Sequence, residues 1–134
     1  MLDHVSITVS DIVSAERFYD AVMVALGVSK IGARADWLGY GERARPEHPD
    51  RSYLSIRLGD PPDKADGRHW CFKARDREAV DTFWRVGIAA GGRDDGRPGV
   101  RDAYHPHYYA AFLRDPDGNR VEAVCHHGAG DPLR

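Results

Sequence analysis

Cysteine is almost missing from this chain: Cys71 and Cys125 are the only two among 134 residues. Two thiols cannot build a disulfide framework, so the fold must rest on a buried apolar core, and free thiols suit a reducing compartment. An excess of one charge is also missing. Nineteen basic and 21 acidic residues give a net charge of −2, with the signs mixed along the chain. That argues against a nucleic-acid partner or an anionic membrane surface. No apolar run approaches the length of a membrane span. The opening Met1-Leu2-Asp3-His4 lacks a basic region followed by an apolar stretch, so no secretory leader is predicted and a cytoplasmic location is expected.

What is present is a globular composition, 42% hydrophobic and 30% charged, long enough for one domain with a real core. The stretch LDHVSITVSD (2–11) alternates, with Val5, Ile7 and Val9 on one side and His4, Ser6 and Thr8 on the other. It predicts a half-buried strand whose polar face begins with a histidine. Residues 11–27 carry Ala15, Phe18, Tyr19, Val22 and Leu26 at helical spacing, with Asp11 or Ser14 as the cap and Gly27 as the stop. Residues 28–42 predict two short strands around a turn at 34–36, and 52–59 a further strand with Leu54, Ile56 and Leu58 on its apolar side.

Residues 60–67, DPPDKADG, read as a linker. The pattern then starts again. Residues 68–76 alternate, with Trp70, Phe72 and Ala74 opposite His69, Cys71 and Lys73. A helix follows over 77–92 with Val80, Phe83, Trp84 and Ile88 as its stripe. Residues 93–107 read as polar and turn-rich, 108–127 as a hairpin around Asp115–Asn119, and 128–134 as a tail. A shift of 65 residues superposes the halves without a gap through strand and helix: His4 on His69, Asp11 on Asp76, Phe18 on Phe83, Gly27 on Gly92. The chain therefore reads as two strand–helix–strand–strand–strand modules, about 1–59 and 68–127.

This arrangement resembles the vicinal oxygen chelate superfamily, which includes glyoxalase I, extradiol dioxygenases, and fosfomycin and bleomycin resistance proteins. The resemblance is carried by DHVSITVSD…ERFYDAVMVALG, by RHWCFKARD and, most specifically, by FLRDPDGNRVEAVCH. It implies an α+β fold of two βαβββ modules, forming a curved mixed sheet around a cup with the helices outside. It also implies one divalent metal (Fe, Mn, Zn or Ni), held by His4, His69 and Glu122, and a homodimer. The residues agree independently: His4 and His69 are repeat equivalents opposite their apolar faces, and Glu122 lies opposite Val121, Ala123 and Cys125. Two imidazoles and a carboxylate can bind a divalent ion on one side and leave positions open.

Two departures from the family patterns stand out. The strand that often carries a fourth, Glu or Gln ligand offers Tyr53, Ser55 and Arg57, unlike glyoxalase I. Extradiol dioxygenases also place a tyrosine ten residues before the Glu ligand, where this chain has Phe112. The segment DAYHPHYYA (102–110) supplies other titratable groups, and His105 and Tyr108 are the candidates for proton transfer beside Glu122, or for covering the cup rim. Tyr53, Arg57, Cys71, Lys73 and Phe112 share the cup side of their strands and are the candidates for substrate contact. Cys71 also reads as a small buried filler. Trp37 and Tyr40 suit either an apolar cup wall or the core. His126, four strand residues beyond Glu122 and so roughly 13 Å away, reads as incidental.

The expected function is that of a metal-dependent lyase or dioxygenase acting on a small substrate whose neighbouring oxygens the metal chelates. The alternative is a metal-free small-molecule binder of the bleomycin-resistance kind.

Overall fold

The structure is a computed structural model that describes residues 1–61 and 67–129. The centre of the expected linker and most of the expected tail lie outside the described residues. The elements run β1 (His4–Val9), α1 (Ile12–Ala25), β2 (Lys30–Arg34), β3 (Trp37–Gly41), β4 (Tyr53–Leu58), β5 (Trp70–Lys73), α2 (Arg77–Ala89), β6 (Arg93–Val100), β7 (Tyr109–Arg114) and β8 (Arg120–Cys125). They build two four-stranded mixed sheets with strand orders β1-β4-β3-β2 and β5-β8-β7-β6. The orders are identical under the repeat, and in each sheet the first and last strands of the module pair in parallel. The α+β fold of two βαβββ modules is thus present.

β6 corrects the sequence reading, which left 93–107 without a strand. Its pairing with β7 shifts register twice, between Asp94 and Gly96 and between Gly96 and Gly99. Each bulge breaks the two-residue alternation that would have revealed a strand.

The repeat extends to the helix starts. Asp11 caps α1 by accepting from the backbone N–H groups of Val13 and Ser14, and Asp76 caps α2 by accepting from Ala79. The helix ends differ by one residue. α1 is stopped by the left-handed Gly27 (φ 71°), but α2 by Gly91 (φ 100°) rather than Gly92. Gly92 is small for another reason: a Cβ there would lie 2.5 Å from the ring of Phe18.

The helices pack against each other. With the apolar faces of both sheets they form one core, including Ile7, Val9, Phe18, Val22, Leu38, Ile56, Val80, Phe83, Leu113 and Ala123. The α2 stripe is Val80, Phe83 and Gly87, while Ile88 stays 36% exposed. Gly87 takes the inward position, so Ile88 is not needed there. Tyr40 belongs to this core too, with its hydroxyl donating to Asp20 at 2.7 Å. The β7–β8 turn reaches the first module: Asp117 accepts from the Ser10 backbone at 2.9 Å, and Asn119 donates to the carbonyl of Thr8 at 3.0 Å. No helix among the described residues is long and apolar enough to cross a membrane.

Candidate functional site

Strand register decides which side chains share the face opposite the helices. In the second sheet Cys71 pairs with Glu122 and Glu122 with Phe112. Alternation puts His69, Cys71, Tyr108, Phe112, Glu122 and His126 on that face, while Val121, Ala123 and Cys125 are buried in the core.

Glu122 is the centre of this group. It is 2% exposed, and both of its oxygens are engaged. His69 Nε2 lies 3.2 Å from Oε1, and the Tyr108 hydroxyl donates to Oε2 at 2.5 Å. Burial, the bond to Glu122 and the neighbouring Cys71 push the Tyr108 phenol well above its ordinary range. It therefore holds its proton at neutral pH. Cys71 is exposed rather than a buried filler. Loss of hydration and the charge of Glu122 push its thiol up to about 12, so it is a neutral thiol rather than a nucleophile at neutral pH.

His105 Nδ1 accepts from the His107 backbone at 3.1 Å, and its Nε2 lies 2.9 Å from Nδ1 of His126. The first bond places the proton of a neutral His105 on Nε2, which then donates to His126. Both rings meet the Tyr108 ring edge-on, with centroids at 5.5 and 5.4 Å. The loop carrying His105 thus folds back onto the end of β8 and brings its ring against His126. Phe112 lies under the Arg101 guanidinium at 5.5 Å and 6.4 Å from the His69 ring.

His4, Tyr53 and Arg57 share the corresponding face of the first sheet. His4 pairs with Tyr53, Ser6 with Ser55 and Thr8 with Arg57. The His4 ring stacks on Tyr53 (centroids 4.9 Å, planes 16° apart) and its Nδ1 lies 2.7 Å from Asp3. A cavity of about 620 Å³ opens between the modules, with His4 and Tyr53 on one side and Cys71 and Lys73 on the other.

The donors suit a divalent ion in kind. Glu122 is a buried carboxylate already meeting one imidazole, and His4 is a second, half-exposed imidazole. In place they are incomplete: among the described residues of one chain, no three His, Cys, Asp or Glu side chains gather closely enough to hold a metal ion.

Comparison with known proteins gives this geometry a context. The family model of the glyoxalase/bleomycin resistance protein/dioxygenase superfamily matches residues 1–123. The chain belongs to this superfamily. Among solved structures of the superfamily fold, a glyoxalase/bleomycin resistance protein from Albidiferax ferrireducens is 33% identical, with 92% of this chain and 98% of that one covered at a TM-score of 0.78. A glyoxalase/bleomycin resistance protein/dioxygenase family enzyme from Burkholderia phytofirmans is 23% identical over 91% and 95% of the two chains, with a TM-score of 0.65. The fosfomycin resistance protein FosX from Mesorhizobium loti is 16% identical over 96% and 94%, with a TM-score of 0.67. These last two show likeness of fold alone. No protein of curated function matches the chain.

Proposed function

We propose that the protein is a divalent-metal-dependent enzyme of the glyoxalase/dioxygenase type, working as a homodimer on a small substrate with two neighbouring oxygens. His4, His69 and Glu122 are its metal ligands, with His69 and Glu122 supplied by one chain and His4 by a second copy. The observation that carries this reading is the pairing of His69 with the buried Glu122, while the remaining imidazole sits on the other sheet. A metal bound there supplies Lewis-acid polarisation of the chelated oxygens.

The chain's own residues then have distinct tasks. Glu122 is held in one orientation by Tyr108, which keeps its phenolic proton beside the carboxylate. His105, bonded to His126 and touching Tyr108, can take or return a proton at the cup. Tyr53, Cys71 and Lys73 line the cavity between the modules, Phe112 stands beside His69, and all four are substrate contacts in this reading.

The test is metal content after reconstitution, in wild type, in His4→Ala, in Glu122→Ala and in an equal mixture of the two variants refolded together. About one ion per chain is expected in the wild type, and little in either variant alone. The mixture should regain part of it, because a hybrid dimer rebuilds one intact site from two damaged chains. No metal in the wild type moves the reading to a metal-free binding protein. Metal in the wild type without recovery in the mixture places all three ligands in one chain.

A further inference from the structure

The first sheet carries a row of cationic and aromatic groups, of which the proposed chemistry uses His4 and Tyr53 but none of the arginines and not Trp37. Trp37 pairs with Arg34 on one side and Arg57 on the other, so all three project from the cup face. The indole lies down on the sheet. A Cβ at Gly39 would come within 2.3 Å of its ring and one at Gly32 within 2.9 Å, so only glycine at both leaves it room. Its Nε1 donates to the buried Ser55 hydroxyl at 2.6 Å, which fixes the ring in its plane.

Two guanidiniums cover this ring: Arg34 at 4.9 Å and Arg43 at 5.6 Å from its centroid. Arg43 also lies 4.8 Å over Tyr53, which stacks on His4. The result is one continuous stack, Arg34–Trp37–Arg43–Tyr53–His4. Cation–π contact accounts for each arginine singly. It does not account for two like charges on one indole with Arg57 beside them, since none of the three forms an ion pair among the described residues. Other arginines on this protein do find carboxylates, such as Arg51 with Glu42 at 2.7 Å. Like charges held together without a counterion repel, and an arriving anion removes that repulsion.

We infer that this stack is the recognition wall for a planar small molecule bearing a carboxylate. The carboxylate is taken by Arg34 and Arg43, with Arg57 adding its charge, and the planar body lies along the stack toward His4. Guanidinium forks match carboxylate oxygens two by two and stack on π surfaces, which lysines in these places would not do. The inference names the substrate class for the function proposed above, but its contacts lie entirely in the first module.

The experiment is calorimetric titration with benzoate in the presence of chelator, against wild type, Arg34→Gln/Arg43→Gln and the remote charge control Arg75→Gln. Wild type and Arg75→Gln should bind benzoate alike. The double variant should bind about tenfold more weakly or worse, as expected for losing a charge-assisted contact. Benzamide, the neutral analogue of the same shape, should not compete. Both arginines are exposed, and matching thermal melts confirm that the variants are folded. Equal benzoate affinity in the double variant overturns the inference, as does competition by benzamide or absence of saturable binding to the wild type. Because chelator is present, loss of this binding and loss of the metal site are separate results.

Discussion

The hydroxyl of Tyr19, on α1 of the first module, donates at 2.7 Å to Asp115 in the β7–β8 turn of the second. Asp115 is completely buried. It also accepts from the backbone of Asp117 and Asn119 and from the Asn119 side chain. The Asp-Pro-Asp-Gly-Asn segment is therefore more than a hairpin turn. It fastens one module to the other through Tyr19, Thr8 and Ser10. Asp115→Ala would strand the buried Tyr19 hydroxyl and the Asn119 amide, and should lower stability by about 2–4 kcal/mol. Tyr19→Phe leaves the other donors in place and should cost about 1 kcal/mol. Urea denaturation of the two variants checks the ranking; equal losses would contradict it.

Tyr108 orients Glu122 from behind. If Glu122 is a metal ligand, Tyr108→Phe frees the carboxylate to rotate, and metal affinity should fall by about 10- to 100-fold, the usual cost of losing a partner that orients a ligand. Competition against a fluorescent chelator measures this directly. Unchanged affinity would mean that burial alone holds Glu122 in place.

Gly41 ends β3 with φ at 107°, and a Cβ there would stand 2.7 Å from the Ser52 carbonyl and 3.0 Å from Tyr53 Cα. Both partners are backbone and cannot swing away. Gly41→Ala should therefore destabilise by about 2–4 kcal/mol, strain and overlap together. It should also displace Tyr53 from the His4 ring. A thermal melt reads the first effect and the ring-shifted proton resonances of His4 the second.

Burial and a 2.6 Å bond to Asp81 push the Tyr109 phenol up to about 12. The folded state thus holds this proton more tightly than the unfolded chain, whose tyrosines keep the ordinary value of 10.0. The resulting stability is complete below about pH 10 and is lost as pH rises toward about 12. Tyr109→Phe should remove that part of the alkaline loss. The comparison is urea midpoints at pH 9 and pH 11.5 in both proteins, and an identical alkaline drop would contradict the assignment.

Most of the architecture was readable along the chain because it rests on local rules. Alternation marked β1, β4 and β5, the Asp115–Asn119 turn marked the β7–β8 hairpin, helical spacing marked both helices, and Asp11 stood beside Ser14 as a candidate cap of α1. β6 was hidden because two bulges interrupt its alternation. The end of α2 was misplaced by one residue because two adjacent glycines satisfy different needs, Gly91 a left-handed turn and Gly92 room for Phe18. Within the candidate site, the shared face of His69, Cys71, Tyr108, Phe112 and Glu122 followed from parity. The contact of His126 with His105 did not, because it depends on where the 101–108 loop carries His105. Arg43, in an irregular loop, has no periodicity from which its place over Trp37 could be read.

The sequence by itself determined the two modules, their strand faces and the chemical kinds of donor they present, since periodicity and capping act over a few residues. The tertiary structure decided which donors meet. His69 reaches Glu122 because β5 and β8 are hydrogen-bonded neighbours, and Arg34 and Arg43 converge on one indole because β2, β3 and the following loop fold over two glycines. His4 stands apart from both carboxylate and imidazole because its strand belongs to the other sheet. Such distances depend on how separate segments pack around a common core, and no local pattern encodes them.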